Sequence, residues 1–355
     1  GALRDPAQRQ PLGLDRVRAL QMHEGYGSAQ AHRLCAQLLQ YPAAGDESDR
    51  RLRFVALSRL YMGAGSQGES GGLRVARQLA QAARTDGERL TACFALGNSL
   101  FWRGRFEEAR ASQRQGLDLL PRLSAEERCQ DLGDDAGVLL LAVHCWTQWF
   151  CGDAAGADAA TEQGLTLARS EGRNHALCFM LTFAAAMNWT RGRAQPVLRH
   201  AGEAQALAAR LGYPLWQGMN GLFLAWARVR TGHREAAAQV LQAAEQVDRA
   251  YQAGRSTARW ILASTLALLG QHEVALRLLR PALPEAELGE DHYCRPGLLM
   301  LLSDCERHTG DWTRADALAS EACTLAREQG AVGWLARHAP AMARDLMQAP
   351  RTCMS

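Results

Sequence analysis

The chain has 355 residues, 47% of them hydrophobic, and a formal net charge of +3, a balance too close to neutral to make nucleic acid the default partner. All 40 basic residues are arginine, which excludes a P-loop lysine, a Schiff-base lysine or a lysine general base. Ile261 is the only isoleucine in a chain dominated by alanine, leucine, arginine, glutamine and glutamate, a composition that favours helix and disfavours a large sheet.

The first residues, Gly1 to Pro6, lack the basic, apolar and small-residue progression of a signal peptide, and no apolar run nears the ~18 residues of a membrane span. A soluble cytoplasmic chain with no membrane contact is expected, and its abrupt start suggests a piece of a larger polypeptide. Residues 1–45 hold a partial helix pair, from about Leu14 to Gln40, and a second pair runs from about Asp49 to Arg84 around the glycine-rich segment Gly63 to Gly72. Two motifs overlap in that segment. Gly63, Gly65 and Gly68 satisfy GxGxxG, with Asp86 downstream where a ribose would need it, and Gly68-Glu69-Ser70-Gly71-Gly72 resembles a serine nucleophile turn. Both chemistries need a strand leading into the loop, whereas Phe54 to Met62 keeps helical spacing. An expanded turn is the preferred reading, and an enzyme built on this loop is the disfavoured one.

From Leu90 to Pro121 the pattern is clearest. Leu96, Gly97 and Leu100 share one helical face, Gly104 enters a turn, Phe106 and Ala109 begin a second helix, and Pro121 stops it. Equivalent turns fall at Gly152, Gly192, Gly232, Gly270 and Gly310, at successive intervals of 48, 40, 40, 38 and 40 residues. Five positions after each turn stands a small residue, Ala109, Ala157, Ala237, Ala275 or Ala315, with Val197 the larger exception. A fixed period of this size marks a helical repeat array. The spacing predicts an all-α, right-handed solenoid of about seven to eight tetratricopeptide-like helix-turn-helix pairs, forming a single domain over 1–355. Its repeats occupy 49–330, and 332–348 form a capping helix read from Trp334 to Met347. The long interval carries Pro121 to Asp135, a charged, glycine-containing stretch expected at the surface. Stability is expected to be distributed, each pair covering its neighbours.

Ten cysteines are scattered without a CxxC pair, reading as buried small hydrophobes in a reducing compartment. His144, Cys145 and Cys151 sit on adjacent turns without an evident fourth ligand, so no metal or other cofactor is expected.

In a tetratricopeptide array the first helix of each pair lines a concave groove. With the turn glycines as register, that line holds Phe94, Asn98 and Phe101, then Trp146 and Trp149, then Trp189, then Leu222, Trp226 and Arg230, then Trp260 and Ser264, and finally Asp304 and Arg307. Five of the nine tryptophans fall on it, which points either to a ligand surface or to aromatic packing between pairs. As a site, the groove suits a protein or peptide partner or a small effector, with Arg230 and Arg307 meeting an anion and Asn98 an amide. No catalytic group and no direct nucleic-acid contact is read in it.

Several junction phrases are more specific than the repeat itself: Ala95-Leu96-Gly97-Asn98-Ser99-Leu100-Phe101 before Gly104, Gly133-Asp134-Asp135-Ala136-Gly137-Val138 before a helix, Ala168 to Gly172 leading to His175, and Gly212-Tyr213-Pro214-Leu215-Trp216. On these, Leu90 to about Ala339, about 70% of the chain, resembles the C-terminal tetratricopeptide-repeat region of bacterial signal-transduction (STAND-type) ATPase regulators. The resemblance implies a sensor or regulatory arm in signalling or transcription regulation, with an ATPase or effector module of the same polypeptide as a possible partner. The residues show neither an ATPase nor an effector motif, and the Gly63 to Gly72 loop is longer than the family pattern. A free-standing adaptor holding a peptide or partner protein in its groove is the alternative.

Overall fold

A computed structural model describes residues 13–21, 28–40, 46–64, 71–236, 255–289 and 291–348, and among them every regular element is helical. In chain order these are α1 (13–21), α2 (Ala29–Gln40), α3 (Glu47–Ala64), α4 (Gly71–Ala82), α5 (Asp86–Trp102), α6 (Phe106–Leu117), α7 (Ala125–Cys129), α8 (Ala136–Phe150) and α9 (Ala154–Ser170). They continue with α10 (Asn174–Thr190), α11 (Ala194–Leu211), α12 (Pro214–Arg230), α13 (Arg255–Leu268), α14 (His272–Leu288), α15 (Arg295–Thr309), α16 (Trp312–Glu328), α17 (Val332–His338) and α18 (Pro340–Gln348). Sequential helices pack as tight pairs, α5 on α6, α8 on α9, α10 on α11, α13 on α14 and α15 on α16, and α5, α8, α10 and α12 then stack side by side. This is a tetratricopeptide-like α-solenoid.

The turn inside each pair is one device repeated. Gly104, Gly152, Gly192, Gly232, Gly270 and Gly310 all take positive φ, between 71° and 102°, a region that costs any residue with a Cβ. The next amide reaches back across the turn: Arg105 N–H to Leu100 O (2.9 Å), Asp153 to Gln148 (2.8 Å), Arg193 to Asn188 (2.9 Å), Gln271 to Leu266 (2.9 Å) and Asp311 to Glu306 (3.0 Å). Carbonyls that a helix end would leave orphaned are satisfied in this way. Ala109, Ala157, Val197, Ala275 and Ala315 are each fully buried against the partner helix, whereas Ala237 lies outside the described residues. At Gly97 an added Cβ would come within 2.6 Å of Gln113 Cγ, so this glycine sets how closely α5 and α6 approach.

A second series of left-handed glycines follows the helices between pairs: Gly172, Gly212 and Gly330 end the return helices α9, α11 and α16, and Gly133 follows α7. The sequence holds Gly133, Gly172 and Gly212 within its junction phrases, and the structure shows that with Gly330 they share one left-handed conformation. The segment from Pro121 to Asp135 is exposed over most of its first half, but from Arg128 onward it departs from the surface expectation and turns inward: Asp131 and Asp135 have no exposure and Arg128 has 6%. The reason is charge pairing. Arg128 binds Asp135 (2.8 Å) and Glu171 (3.1 Å), while Asp131 accepts from Thr91 (2.9 Å) and pairs with Arg51. The expected capping helix is two helices, α17 and α18, broken at Pro340 because proline cannot donate into a continuing helix. Most of the Gly63 to Gly72 loop, including Ser70, lies outside the described residues; α3 runs through Gly63 to Ala64 and α4 begins at Gly71.

The last feature breaks the nearest-neighbour picture. α17 returns to the inner wall of the coil: Gly333 lies against the Trp149 carbonyl, Val332 against Gly152 and Arg337 against Gly192, and Arg337 Nη1 donates to Thr190 O, 147 residues earlier. Tyr293 follows it inward, with ring centroids 5.1 Å from both Phe101 and Trp146 and 5.0 Å from Trp102. The groove is therefore closed by the chain's own C-terminal repeats.

Candidate functional site

What the closure leaves open is a cavity of about 680 Å³ on the inner face, within the roughly 300–1,000 Å³ typical of small-ligand sites. Trp189 and Thr190 of α10, Trp226 and Arg230 of α12, and Trp260 and Ser264 of α13 form one wall. Met300, Leu301, Asp304 and His308 of α15 face them with His272 of α14, and Trp334, Arg337 and His338 of α17 complete the enclosure.

The tryptophans are seated rather than loose. Trp189 and Trp260 meet edge to face at 4.5 Å, and Trp334 stacks on His338 at 4.4 Å. The Trp260 ring lies directly over Gly297, where an added Cβ would stand 1.9 Å from Cζ2; only glycine leaves room for it. Each of these tryptophans is at most 8% exposed, so each offers the cavity an edge or face while its body belongs to the core.

The cavity's charges are separated. Arg230 is exposed, and neither it nor Arg337 has an acidic partner within 4 Å among the described residues. Arg337 is reached by water yet surrounded by protein, the condition of a cavity wall; its guanidinium pKa is lowered by that desolvation and by repulsion from Arg230. His338 beside it is pushed down to about 4 by desolvation and by Arg337. Away from this pair, His272 and His308 stack at 4.1 Å, and desolvation followed by His308 lowers the His272 pKa. Asp304 is raised by desolvation against the pull of His308, Arg307 and His272. His272 Nδ1 is buried without a hydrogen-bond partner.

Six of the residues predicted for the groove, Trp189, Trp226, Arg230, Trp260, Ser264 and Asp304, meet in this cavity. The others do not. Phe94 and Phe101 are buried, the former against Tyr61 (6.2 Å), and Leu222 has no exposure. Asn98 is used internally, donating to Tyr61 Oη (2.9 Å) and accepting from Trp102 Nε1 (2.9 Å). Trp146 spends its indole N–H on Thr190 Oγ1 (3.0 Å) beneath Tyr293, and Trp149 is covered by Gly333. Arg307 points elsewhere, bonding Asp316 (2.9 Å) and lying over the Trp312 ring. Trp334, Arg337, His338, His272 and His308 are among the lining residues that sequence reasoning missed. A tryptophan and an arginine on a nominal capping segment were the only signal.

His144 and the cysteines are structural. His144 is 5% exposed and donates from Nδ1 to Gln113 Oε1 (3.0 Å), whose amide nitrogen donates on to Thr147 Oγ1 (3.0 Å). Cys145, buried, donates to Ala142 O, and Cys151 is buried as well. Among the described residues no His, Cys, Asp or Glu cluster is arranged to hold a metal, and no helix is long and apolar enough to cross a membrane.

No family model and no curated protein matches the chain. Among solved structures it is similar to a Rap protein complexed with Competence and Sporulation Factor, with a TM-score of 0.60 and 13% identity over 96% of this chain and 97% of that one. It is also similar to the Rap conjugation gene regulator of the plasmid pLS20 in complex with a Phr peptide, with a TM-score of 0.58 and 13% identity over 91% and 95%. A STAND protein with a tetratricopeptide repeat sensor from Pyrococcus horikoshii is among the neighbours, with a TM-score of 0.48 and 12% identity over 92% of this chain and 52% of that one. At such identities the first two likenesses establish the fold, and the third is too remote to carry argument.

Proposed function

We propose that this chain is a non-catalytic repeat scaffold that binds a short peptide in its inner cavity and serves as the sensor or regulatory arm of a signalling or transcription-regulating system. The observation that carries the reading is the cavity itself, aromatic on several sides, with polar groups left open inside it. Two solved structures of the same fold, matched over nearly their whole length, are complexes with Competence and Sporulation Factor and with a Phr peptide, which supports a peptide as occupant. The junction phrases that resemble STAND-type regulators support the regulatory role and a linked ATPase or effector.

The test is a cavity-filling variant. A mixed hexapeptide pool is passed over immobilised protein and the retained fraction measured by mass spectrometry. Ser264→Trp, which projects bulk into about 680 Å³ of open space, is expected to melt like the parent and to lose retention. Equal retention by both proteins refutes the cavity as the binding site.

A further inference from the structure

Resting on that reading, we infer that the ligand presents a carboxylate to Arg230 and Arg337, with its apolar body against Trp226, Trp260 and Trp334. Several inward-placed arginines elsewhere in the protein are matched by acids. Arg50 pairs with Glu88 (2.9 Å), Arg128 with Asp135 (2.8 Å) and Arg191 with Asp158 (2.6 Å). Arg230 and Arg337 differ from these: both line the same cavity, neither has a carboxylate partner among the described residues, and Arg337 donates to the Thr190 carbonyl. Two like charges sharing a restricted volume repel, a cost relieved when an anion sits between them.

The anion's chemistry follows from the donors. Guanidinium groups present planar, forked N–H pairs that match a carboxylate oxygen for oxygen. The cavity's own acid, Asp304, does not fill this role, for the charges acting on it are His308, Arg307 and His272, whereas the charge acting on Arg337 is Arg230. The tryptophan edges beside the pair replace part of the surrounding water with apolar surface, and a lower local dielectric strengthens a charge-assisted bond.

The hexapeptide pool, synthesised once with a free C-terminal carboxylate and once as the C-terminal amide, tests this directly. Wild-type protein is expected to retain the acid pool about ten-fold more strongly than the amide pool. Arg230→Gln is expected to erase that preference with an unchanged melt, because Arg230 is exposed. Arg230→Lys keeps the charge without the fork and is expected to restore only part of it. Equal retention of both pools, still abolished by Ser264→Trp, overturns the carboxylate and leaves peptide binding standing. Retention of neither pool overturns both. Displacement of the acid pool by millimolar inorganic phosphate also overturns the assignment, showing that the arginines take a phosphate-type anion instead. Should Arg337→Gln loosen α17, Arg230→Gln alone decides.

Discussion

Replacing Gly333 with alanine sets two effects of known sign against each other. In a helix, alanine is favoured over glycine by roughly 0.5–1 kcal/mol, because glycine loses more backbone freedom on folding. At Gly333 the new Cβ would stand 1.9 Å from the Trp149 carbonyl oxygen, a backbone atom of a fully buried helix that has nowhere to move. Forcing a methyl into such a contact costs roughly 1–3 kcal/mol. The clash wins, and the variant is expected to lose about 1–2 kcal/mol, chiefly by lifting α17 off α8. Gly202→Ala is the control, since it lies in α11 with nothing within 4 Å of the added carbon, and it is expected to gain up to about 1 kcal/mol. Thermal unfolding followed by far-UV circular dichroism gives the two signs. Hydrogen exchange of the amides of 332–338 then localises the loss. If Gly333→Ala melts as high as Gly202→Ala with α17 still protected, the closure of the coil is not as tight as described.

Asp135 both caps α8, accepting from the Gly137 and Val138 amides (2.8 and 3.1 Å), and neutralises buried Arg128. Asp135→Ala is therefore expected to cost about 3–5 kcal/mol, and Asp135→Asn, which keeps the cap, to recover about 1 kcal/mol of it in a denaturant titration; identical losses refute the division. His144 is held near 4 by burial, and by Arg114 and Arg110, against an ordinary value of 6.5. The unfolded chain thus binds the extra proton between those values, and stability present above pH 6.5 falls as the pH drops toward 4, by about 3 kcal/mol at most. His144→Asn is expected to flatten that slope, and an unchanged slope counts against it. Gly297→Ala is expected to push the Trp260 ring away from α15, reducing hexapeptide retention with a blue or red shift in tryptophan emission; unaltered emission and retention refute the seating of Trp260.

Much of the fold was legible because its punctuation is local. A left-handed glycine and a small residue five places on are demands of a single turn, and a single sequence displays them. Gly172 and Gly212 are also left-handed and stand one period apart, but five places on they carry Leu177 and Gln217 rather than a small residue, so the pairing rule does not group them with the first series. The buried acids of the Pro121 to Asp135 segment escaped because charge density reads as exposure unless the partners, Arg51 and Glu171, are known to be near. The candidate site was half legible for a related reason. Periodicity finds the inner face of a solenoid, which is why Trp189, Trp226 and Trp260 were picked out. It cannot say that Tyr293 and Gly333 arrive from far along the chain to cover Trp146 and Trp149, since nothing within one repeat encodes contact with a distant one.

An open superhelix behaves as a spring, lengthening by slight rotations shared among its many interfaces. Here Arg337 ties the terminal winding to the end of α10, 147 residues upstream, so pitch cannot change in the intervening turns without straining that tie. A guest that reaches the interior must either slip through the gap as it stands or unfasten the clasp, and in the second case its arrival would be felt as slack along the whole coil.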